Sequence, residues 1–211
     1  MENDSRDTEP AERLDLIEGM ISERRRSNGH RGSIKRAWWV VGIAMLLAPS
    51  VVIVAQGPAQ NGADAQREAM QKLAFLAGHW SGPLTVQAGP GAPLHLTQTE
   101  NVQFKLDGLV MLIEGRSTDA TGKAQFEALA TVAYDEASQS YHIRAYHDGH
   151  YVDAPLTVTA DGFSWGFKAG PAQVENTMRL TAKGEWQEST DVTVGDRPAQ
   201  RSVEMLLTRE P

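Results

Sequence analysis

The stretch FLAGHWSG, from Phe75 to Gly82, marks the point where the character of the sequence changes. Before it, Ala69, Leu73 and Leu76 recur at the spacing of an amphipathic helix. After it, almost every segment alternates apolar and polar residues between glycine-rich turns, which is the period of β-strands. We therefore expect a helix that ends near Gly78 and leads directly into an all-β domain.

Segments with the strand period fill the rest of the chain. Their connections are short and rich in Gly, Asp and Pro, and no helical run separates them. Consecutive strands joined in this way pair antiparallel, and closing the meander into a barrel removes its two unpaired edges. The sequence thus predicts a mainly β fold, a closed antiparallel up-and-down barrel of about ten strands capped by an N-terminal helix. The predicted strands are His79–Gln87, His95–Leu106, Val110–Ser117, Gln125–Tyr134, Ser140–His147, Tyr151–Thr159, Phe163–Lys168, Gln173–Thr181, Trp186–Val194 and Gln200–Thr208.

Residues 37–55, AWWVVGIAMLLAPSVVIVA, form an uncharged and mostly apolar stretch. As a helix it would extend about 28 Å, enough to cross the hydrocarbon core of a bilayer. Residues 24–36 contain six Lys or Arg and no acid, whereas the first residues after the stretch are neutral. The positive-inside rule then keeps the N-terminus in the cytoplasm and sends the remainder across the membrane.

Two outcomes are open for this transmembrane segment, retention as a signal anchor and removal as a signal peptide. The basic leader of 36 residues is long for a signal peptide, and Ile53 is a poor residue three positions before a cut after Ala55. The better site, 63–65, lies late. Translation from Met20 would shorten the leader and favour cleavage.

The chain therefore divides into four predicted parts. They are a cytoplasmic tail with a short helix (1–36), the transmembrane helix (37–55), a flexible linker (56–65) and the barrel (66–211). The tail holds eight basic and eight acidic residues, so the net charge of −7 lies beyond the membrane segment. An acidic domain repels phosphate backbones, and nucleic acid is not an expected partner. The sequence has no cysteine, which excludes disulfides and thiolate sites, and it carries no signal for the oligomeric state.

Gly78-His79-Trp80 resembles the Gly-x-Trp signature of the calycin superfamily, which includes lipocalins, fatty-acid-binding proteins and nitrobindins. FLAGHWSG, the hairpin AYDEASQSY at 133–141 and the terminal LLTRE together resemble the family called domain of unknown function 1579. Members of that family are small, often exported bacterial barrels of unassigned activity. The resemblance covers residues 73–210 and implies an exported bacterial barrel, whereas residues 1–65 lie outside it. The segment 37–55 adds the expected location, which is the bacterial inner membrane with the barrel in the periplasm or outside the cell, or secretion after cleavage.

The calycin resemblance also implies roles for three structural residues. Trp80 would enter the closed end of the barrel beneath the N-terminal helix, and Gly78 would allow the sharp turn that places it. Arg209, from the last strand, would lie across the indole ring as a cation over a π face. Arg201 is the alternative for this arginine.

A barrel of about ten strands is wider than its side chains fill, so it encloses a cavity able to take one small ligand. Trp165 and Phe167 point to the same face of one strand and are our first choice for the cavity wall. The strand 140–147 has two alternating faces, of which one lines the cavity and the other faces solvent. The predicted ligand-binding residues are Trp165, Phe167, Tyr141, Tyr146, Arg144 and His142.

No catalytic residue, metal or cofactor is predicted. Nitrobindins bind haem through a histidine near the C-terminus, but the last two strands of this sequence contain none. His147 and His150 could share an ion across a turn, although a polar hairpin tip explains them more simply. Four carboxyl groups within strands would suit proton transfer if they faced the cavity, namely Glu114, Glu127, Glu175 and Glu204.

The sequence therefore favours non-catalytic binding of a small, partly apolar molecule inside the barrel. Two alternatives belong to other classes of function. One is an enzyme that uses a carboxyl or histidine of the barrel interior, and the other is a protein-interaction module whose barrel is filled by its own side chains.

Overall fold

The computed structural model describes residues 58–211 except residues 88 and 90. The predicted tail (1–36) and transmembrane segment (37–55) lie outside the described residues. Within the described part, no helix is both long and apolar enough to cross a bilayer. Helix α1 (Pro58–Gln71) and a 3₁₀ turn (Ala74–Leu76) precede ten strands, which are β1 (Gly78–Val86), β2 (Leu94–Lys105), β3 (Val110–Thr118), β4 (Ala124–Asp135), β5 (Ser140–His147), β6 (His150–Val158), β7 (Gly162–Ala169), β8 (Ala172–Leu180), β9 (Trp186–Val194) and β10 (Gln200–Arg209).

The ten strands form a closed barrel, which confirms the predicted fold class. Each strand pairs antiparallel with its neighbours in sequence, and β1 pairs with β10 to complete the circle. The closing pair aligns Trp80 with Arg209 and Leu84 with Met205. Every strand begins and ends within one residue of its predicted bounds, because turn residues mark each boundary in the sequence.

Helix α1 begins at Pro58, so the prediction of a flexible linker at 56–65 is wrong from that residue onward. Proline is well tolerated in the first turn of a helix, where the backbone amide has no partner within the helix. Arg67 of α1 contacts Asp64 at 2.7 Å and Asp107, in the β2–β3 turn, at 3.1 Å. Such tertiary contacts stabilise a helix whose small and polar residues alone predict a spacer.

The helix ends at Gln71, earlier than the expected end near Gly78, and the 3₁₀ turn follows it. The apolar side chains of both elements cover one end of the barrel. Met70 is 0% exposed and Leu73 and Leu76 are each 1% exposed, so this end is closed.

Trp80 lies at the centre of the closed end and is 1% exposed. Its Nε1 donates a hydrogen bond to the Leu76 carbonyl at 2.8 Å. The ring meets Trp186 edge to face at 5.6 Å between centroids, and Trp186 meets Phe163 in the same way at 6.5 Å. These three aromatic side chains form the floor of the barrel interior, and we call them the aromatic floor.

Arg209 lies over the Trp80 ring, with 4.2 Å from its Cζ to the ring centroid. Its guanidinium also donates to the carbonyls of Phe75 and Ala77. Gly78 permits this arrangement in two ways. Its φ of +129° is one that side chains rarely adopt, and a Cβ atom there would lie 2.7 Å from Nη1 of Arg209. The last strand is thereby tied to the segment that precedes the first.

We predict that Gly78→Ala lowers the free energy of unfolding by about 2 to 4 kcal/mol, since backbone strain and displacement of Arg209 add. Gly184→Ala is the matched control, because Gly184 also has a positive φ of +76° but open space around its Cα. That control should lose only about 1 kcal/mol in urea denaturation. Equal losses in the two variants would contradict the proposed role of Gly78.

Candidate functional site

The barrel contains a cavity of about 1190 Å³ between the aromatic floor and the hairpin turns at the opposite end. All ten strands contribute side chains to its wall. Small inward residues on β3, β4 and β5 leave this space open, and they are Gly115, Ala128, Ala130 and Ala145. Ligand sites for small molecules commonly have about 300 to 1,000 Å³ and a mostly apolar wall with a few placed polar groups. The cavity is somewhat larger than this range, and its wall has this composition.

Two carboxyl groups, Glu100 of β2 and Glu188 of β9, face the interior of this cavity. Gln98 donates from Nε2 to Oε1 of Glu100 at 2.7 Å. Trp186, in the aromatic floor, donates from Nε1 to Oε2 of Glu188 at 2.9 Å. Glu100 is directly opposite Gly115 on β3, where a Cβ atom would approach its carboxylate oxygens to 2.8 and 2.9 Å. A glycine at position 115 thus provides the room that the Glu100 carboxyl occupies.

The environment of this carboxyl pair favours the protonated form. Burial raises the pKa of Glu100 to about 8, and repulsion from Glu188 contributes in the same direction while the bond from Gln98 opposes it. Burial likewise raises the pKa of Glu188 to about 7, against the bond from Trp186. Glu188 retains some accessible surface, which faces the cavity. Because repulsion from Glu188 adds to the raised pKa of Glu100, the two carboxyl groups are close enough to interact. The pKa values of both groups lie near neutrality.

Three buried side chains in the cavity wall have a polar atom without a hydrogen-bond partner among the described residues. These atoms are Oε1 of Gln98, Oγ of Ser117 and Nδ2 of Asn176. The other amide atom of Asn176, Oδ1, accepts from Thr190 at 2.7 Å. Buried polar atoms in proteins are nearly always paired, so these three mark positions where polar atoms of a ligand would bind.

Three of the six predicted ligand-binding residues lie on the inward side of the barrel. Trp165 and Phe167 line the cavity together, with their rings stacked at 5.6 Å. Tyr141 lies at the closed end instead, where its hydroxyl donates to the Ala69 carbonyl at 2.7 Å and its ring packs on Tyr134. It holds helix α1 and does not line the cavity.

The other three residues, His142, Arg144 and Tyr146, lie on the outer face of β5. His142 and Arg144 do not line the cavity, which corrects the prediction for these two. Strand alternation places Tyr141 and its inward neighbours on the opposite face. Arg144 donates from Nε to Asp153 of β6 at 3.0 Å. Tyr146 is 40% exposed and borders the cavity only at its mouth.

The four carboxyl groups considered for proton transfer, Glu114, Glu127, Glu175 and Glu204, are all exposed on the outer face. Sequence reasoning missed the inward pair. The sequence does contain a signal for Glu100, since strand alternation places it on the same face of β2 as Leu96 and Val102, which are buried and apolar. Glu188 has a weaker signal, because it shares a face of β9 with Trp186 and Val192 but polar residues occupy both faces of the middle of that strand.

At the mouth, His147 and His150 are opposite each other on the β5–β6 hairpin. His147 Nδ1 lies 2.7 Å from the Glu127 carbonyl, and its ring packs on Phe126. Among residues 58–211 with the two gaps noted above, no group of three or more His, Cys, Asp or Glu is arranged to hold a metal ion.

No protein-family model matches the sequence, and no curated protein matches it. Among solved structures, Rv2717c from M. tuberculosis is similar, with a TM-score of 0.52 and 15% identity over 68% of this chain and 98% of that chain. The S-type phycobiliprotein lyase CPES from Guillardia theta has a TM-score of 0.48 and 6% identity over 68% and 92%. The first similarity shows a shared β-barrel fold. The resemblance to domain of unknown function 1579 rests on the quoted sequence strings.

We predict that Glu100→Gln changes the pH dependence of stability. The folded-state pKa of about 8 exceeds the ordinary 4.5, so the folded state binds the proton more tightly and stability falls as pH rises between these values. Glutamine removes this loss. Relative to the wild type, the variant should gain roughly 1 to 3 kcal/mol between about pH 4 and about pH 9 in urea denaturation.

Glu175→Gln, on the outer face, is the control for this experiment and should show no gain with pH. A difference between Glu100→Gln and the wild type that stays constant with pH would show that Glu100 is not a buried acid.

Proposed function

We propose that this chain is a binding protein that holds one small, partly apolar molecule in its barrel without transforming it. The observation that carries the proposal is the cavity of about 1190 Å³, whose wall combines apolar side chains with a few buried polar groups. The unpartnered atoms of Gln98, Ser117 and Asn176 give such a molecule specific positions to bind.

The proposed location is the bacterial inner membrane, with the N-terminus in the cytoplasm and the barrel in the periplasm or outside the cell. The length and flanking charge of residues 37–55 support it. Secretion after cleavage is the alternative, and N-terminal sequencing of the mature protein separates the two. We also propose membership of the family called domain of unknown function 1579, on the strength of FLAGHWSG, the 133–141 hairpin and LLTRE.

The cavity argues against the hypothesis of an interaction module with a filled barrel, since small residues keep the lumen open. An enzyme that uses proton transfer is the second candidate, and the pair of Glu100 and Glu188 favours it. Carboxyl groups with pKa values near neutrality are suited to general acid and base catalysis. Under this hypothesis a molecule captured by the wild type would be converted with time, and one captured by Glu188→Gln would persist unchanged.

Capture from a bacterial cell extract tests the binding function. The full chain, purified in mild detergent, should retain a small molecule that native mass spectrometry detects. Ala128→Phe places a large ring in the cavity and should lower the retained fraction at least about fivefold, a loss of roughly 1 kcal/mol in binding free energy.

Ala133→Phe is the matched control, since Ala133 is on the outer face of the same strand and does not line the cavity. It should retain the molecule as the wild type does. Absence of any retained molecule, or equal retention in Ala128→Phe and the wild type, would overturn the proposed function.

A further inference from the structure

The polar end of the cavity lies next to the aromatic floor and contains acids without a basic partner. Glu100 is aligned with Trp80 across β1 and β2, and Glu188 accepts from Trp186. Besides this pair, the ionisable side chains that line the cavity belong to the hairpin turns at the mouth or adjoin them, and they are Tyr146, His147, His150, Tyr151, Arg197 and Arg201. None of these described residues provides a cation at the floor.

Of the two arginines that line the cavity, Arg201 lies on a strand and is already paired. Arg201 contacts Asp191 at 2.6 Å and Glu204 at 2.7 Å. Its partner Asp191 lies three residues beyond Glu188 on β9, about 10 Å closer to the mouth at the usual rise of a strand. The positive charge of Arg201 is therefore neutralised near the mouth of the cavity by Asp191 and Glu204.

Hydrogen-bond acceptors predominate around Glu100. Gln98 is 4% exposed and uses its amide group on the Glu100 carboxyl, which leaves its Oε1 as a buried acceptor without a partner. The Ser117 hydroxyl, 0% exposed, can accept as well. With the two carboxyl groups, these atoms form a set that matches a donor with several N–H groups, whereas the unpartnered donors among the described wall residues are the Ser117 hydroxyl and Asn176 Nδ2.

Electrostatics select the charge of the occupant. Ionising both acids in a poorly solvated site places two like charges close together, so beside a neutral occupant they stay largely protonated. An anionic occupant would be repelled by any carboxylate that forms. A cation between them stabilises both carboxylates and so offsets the cost of ionising them.

We propose that the cavity selects an apolar molecule bearing a protonated amine, with the ammonium group held at the floor between Glu100 and Glu188 and the apolar body directed towards the mouth. This inference rests on the proposed binding function and specifies its ligand class. It assigns Gln98 and Ser117 as further acceptors for the ammonium group.

Three probes of similar shape test the charge selection, namely 1-naphthylmethylamine, 1-naphthylmethanol and 1-naphthoate. Isothermal titration calorimetry with the full chain near neutral pH should give an affinity for the amine at least about tenfold higher than for the alcohol, and the weakest binding for the carboxylate. In Glu100→Gln/Glu188→Gln the amine should lose this advantage, while the alcohol binds as before. The matched control Glu114→Gln/Glu175→Gln, on the outer face, should keep the wild-type preference.

A second measurement needs no variant. An ammonium group between the carboxyl groups drives their ionisation, so binding of the amine to the wild type should release up to about one proton. Titrations in phosphate and in Tris buffer, which differ in ionisation enthalpy, report that number. Binding of the alcohol should release none.

Equal affinities for the amine and the alcohol, an amine preference that persists in the folded Glu100→Gln/Glu188→Gln variant, or the absence of proton release would each overturn the inference. If the alcohol binds and the amine has no advantage, the proposed binding function stands without this ligand class. If no probe binds and no molecule is captured from extract, both proposals fail.

Discussion

The indole ring of Trp80 is held by the beginning and the end of the described chain at once. Its Nε1 donates to the Leu76 carbonyl, and the Arg209 guanidinium covers its face while bonding to the carbonyls that precede β1. A buried indole needs a partner for its N–H group, and the Leu76 carbonyl provides it, while Arg209, which is exposed, bonds to two carbonyls of the segment that precedes β1. The contact joins β1, β10 and the 3₁₀ turn, and closure of the barrel follows from that junction.

Because one end of the barrel is closed by packed side chains, the interior has a packed region at that end and an open region above it. The floor is packed with Trp80, Trp186 and Phe163, whereas small residues higher in β3, β4 and β5 leave the lumen open. Glu100 and Glu188 lie between these regions, where water is scarce and neither carboxyl has a basic partner among the described residues. Burying an acid without a basic partner lowers the stability of the fold. Pairs of this kind are nevertheless retained at functional sites. The burial of these two acids next to the aromatic floor is therefore the strongest indication of where a ligand binds.

The barrel could be predicted from the sequence because each strand is bounded by turn residues such as Gly, Asp or Pro. The candidate site could be predicted only in part. The stacked pair Trp165 and Phe167 was found because two rings two residues apart share a face. For β5 alternation defines two faces but not which one is inside, and His142 and Arg144 consequently lie outside. The start of α1 depends on contacts with the β2–β3 turn that no local pattern contains. Glu188 was missed because polar residues on both faces of the middle of β9 weaken the alternation that places it on the face of Trp186 and Val192.

The barrel, closed at one end, holds two acids without a basic partner among the described residues in a mostly apolar lumen, and the binding proposals depend on this burial. Carbon-13 NMR titration of the side-chain carboxyl carbons measures it directly, with signals assigned from Glu100→Gln and Glu188→Gln. We expect midpoints of about 8 for Glu100 and about 7 for Glu188. Midpoints of both residues near the ordinary value of 4.5 would show that water reaches them freely and would contradict the account.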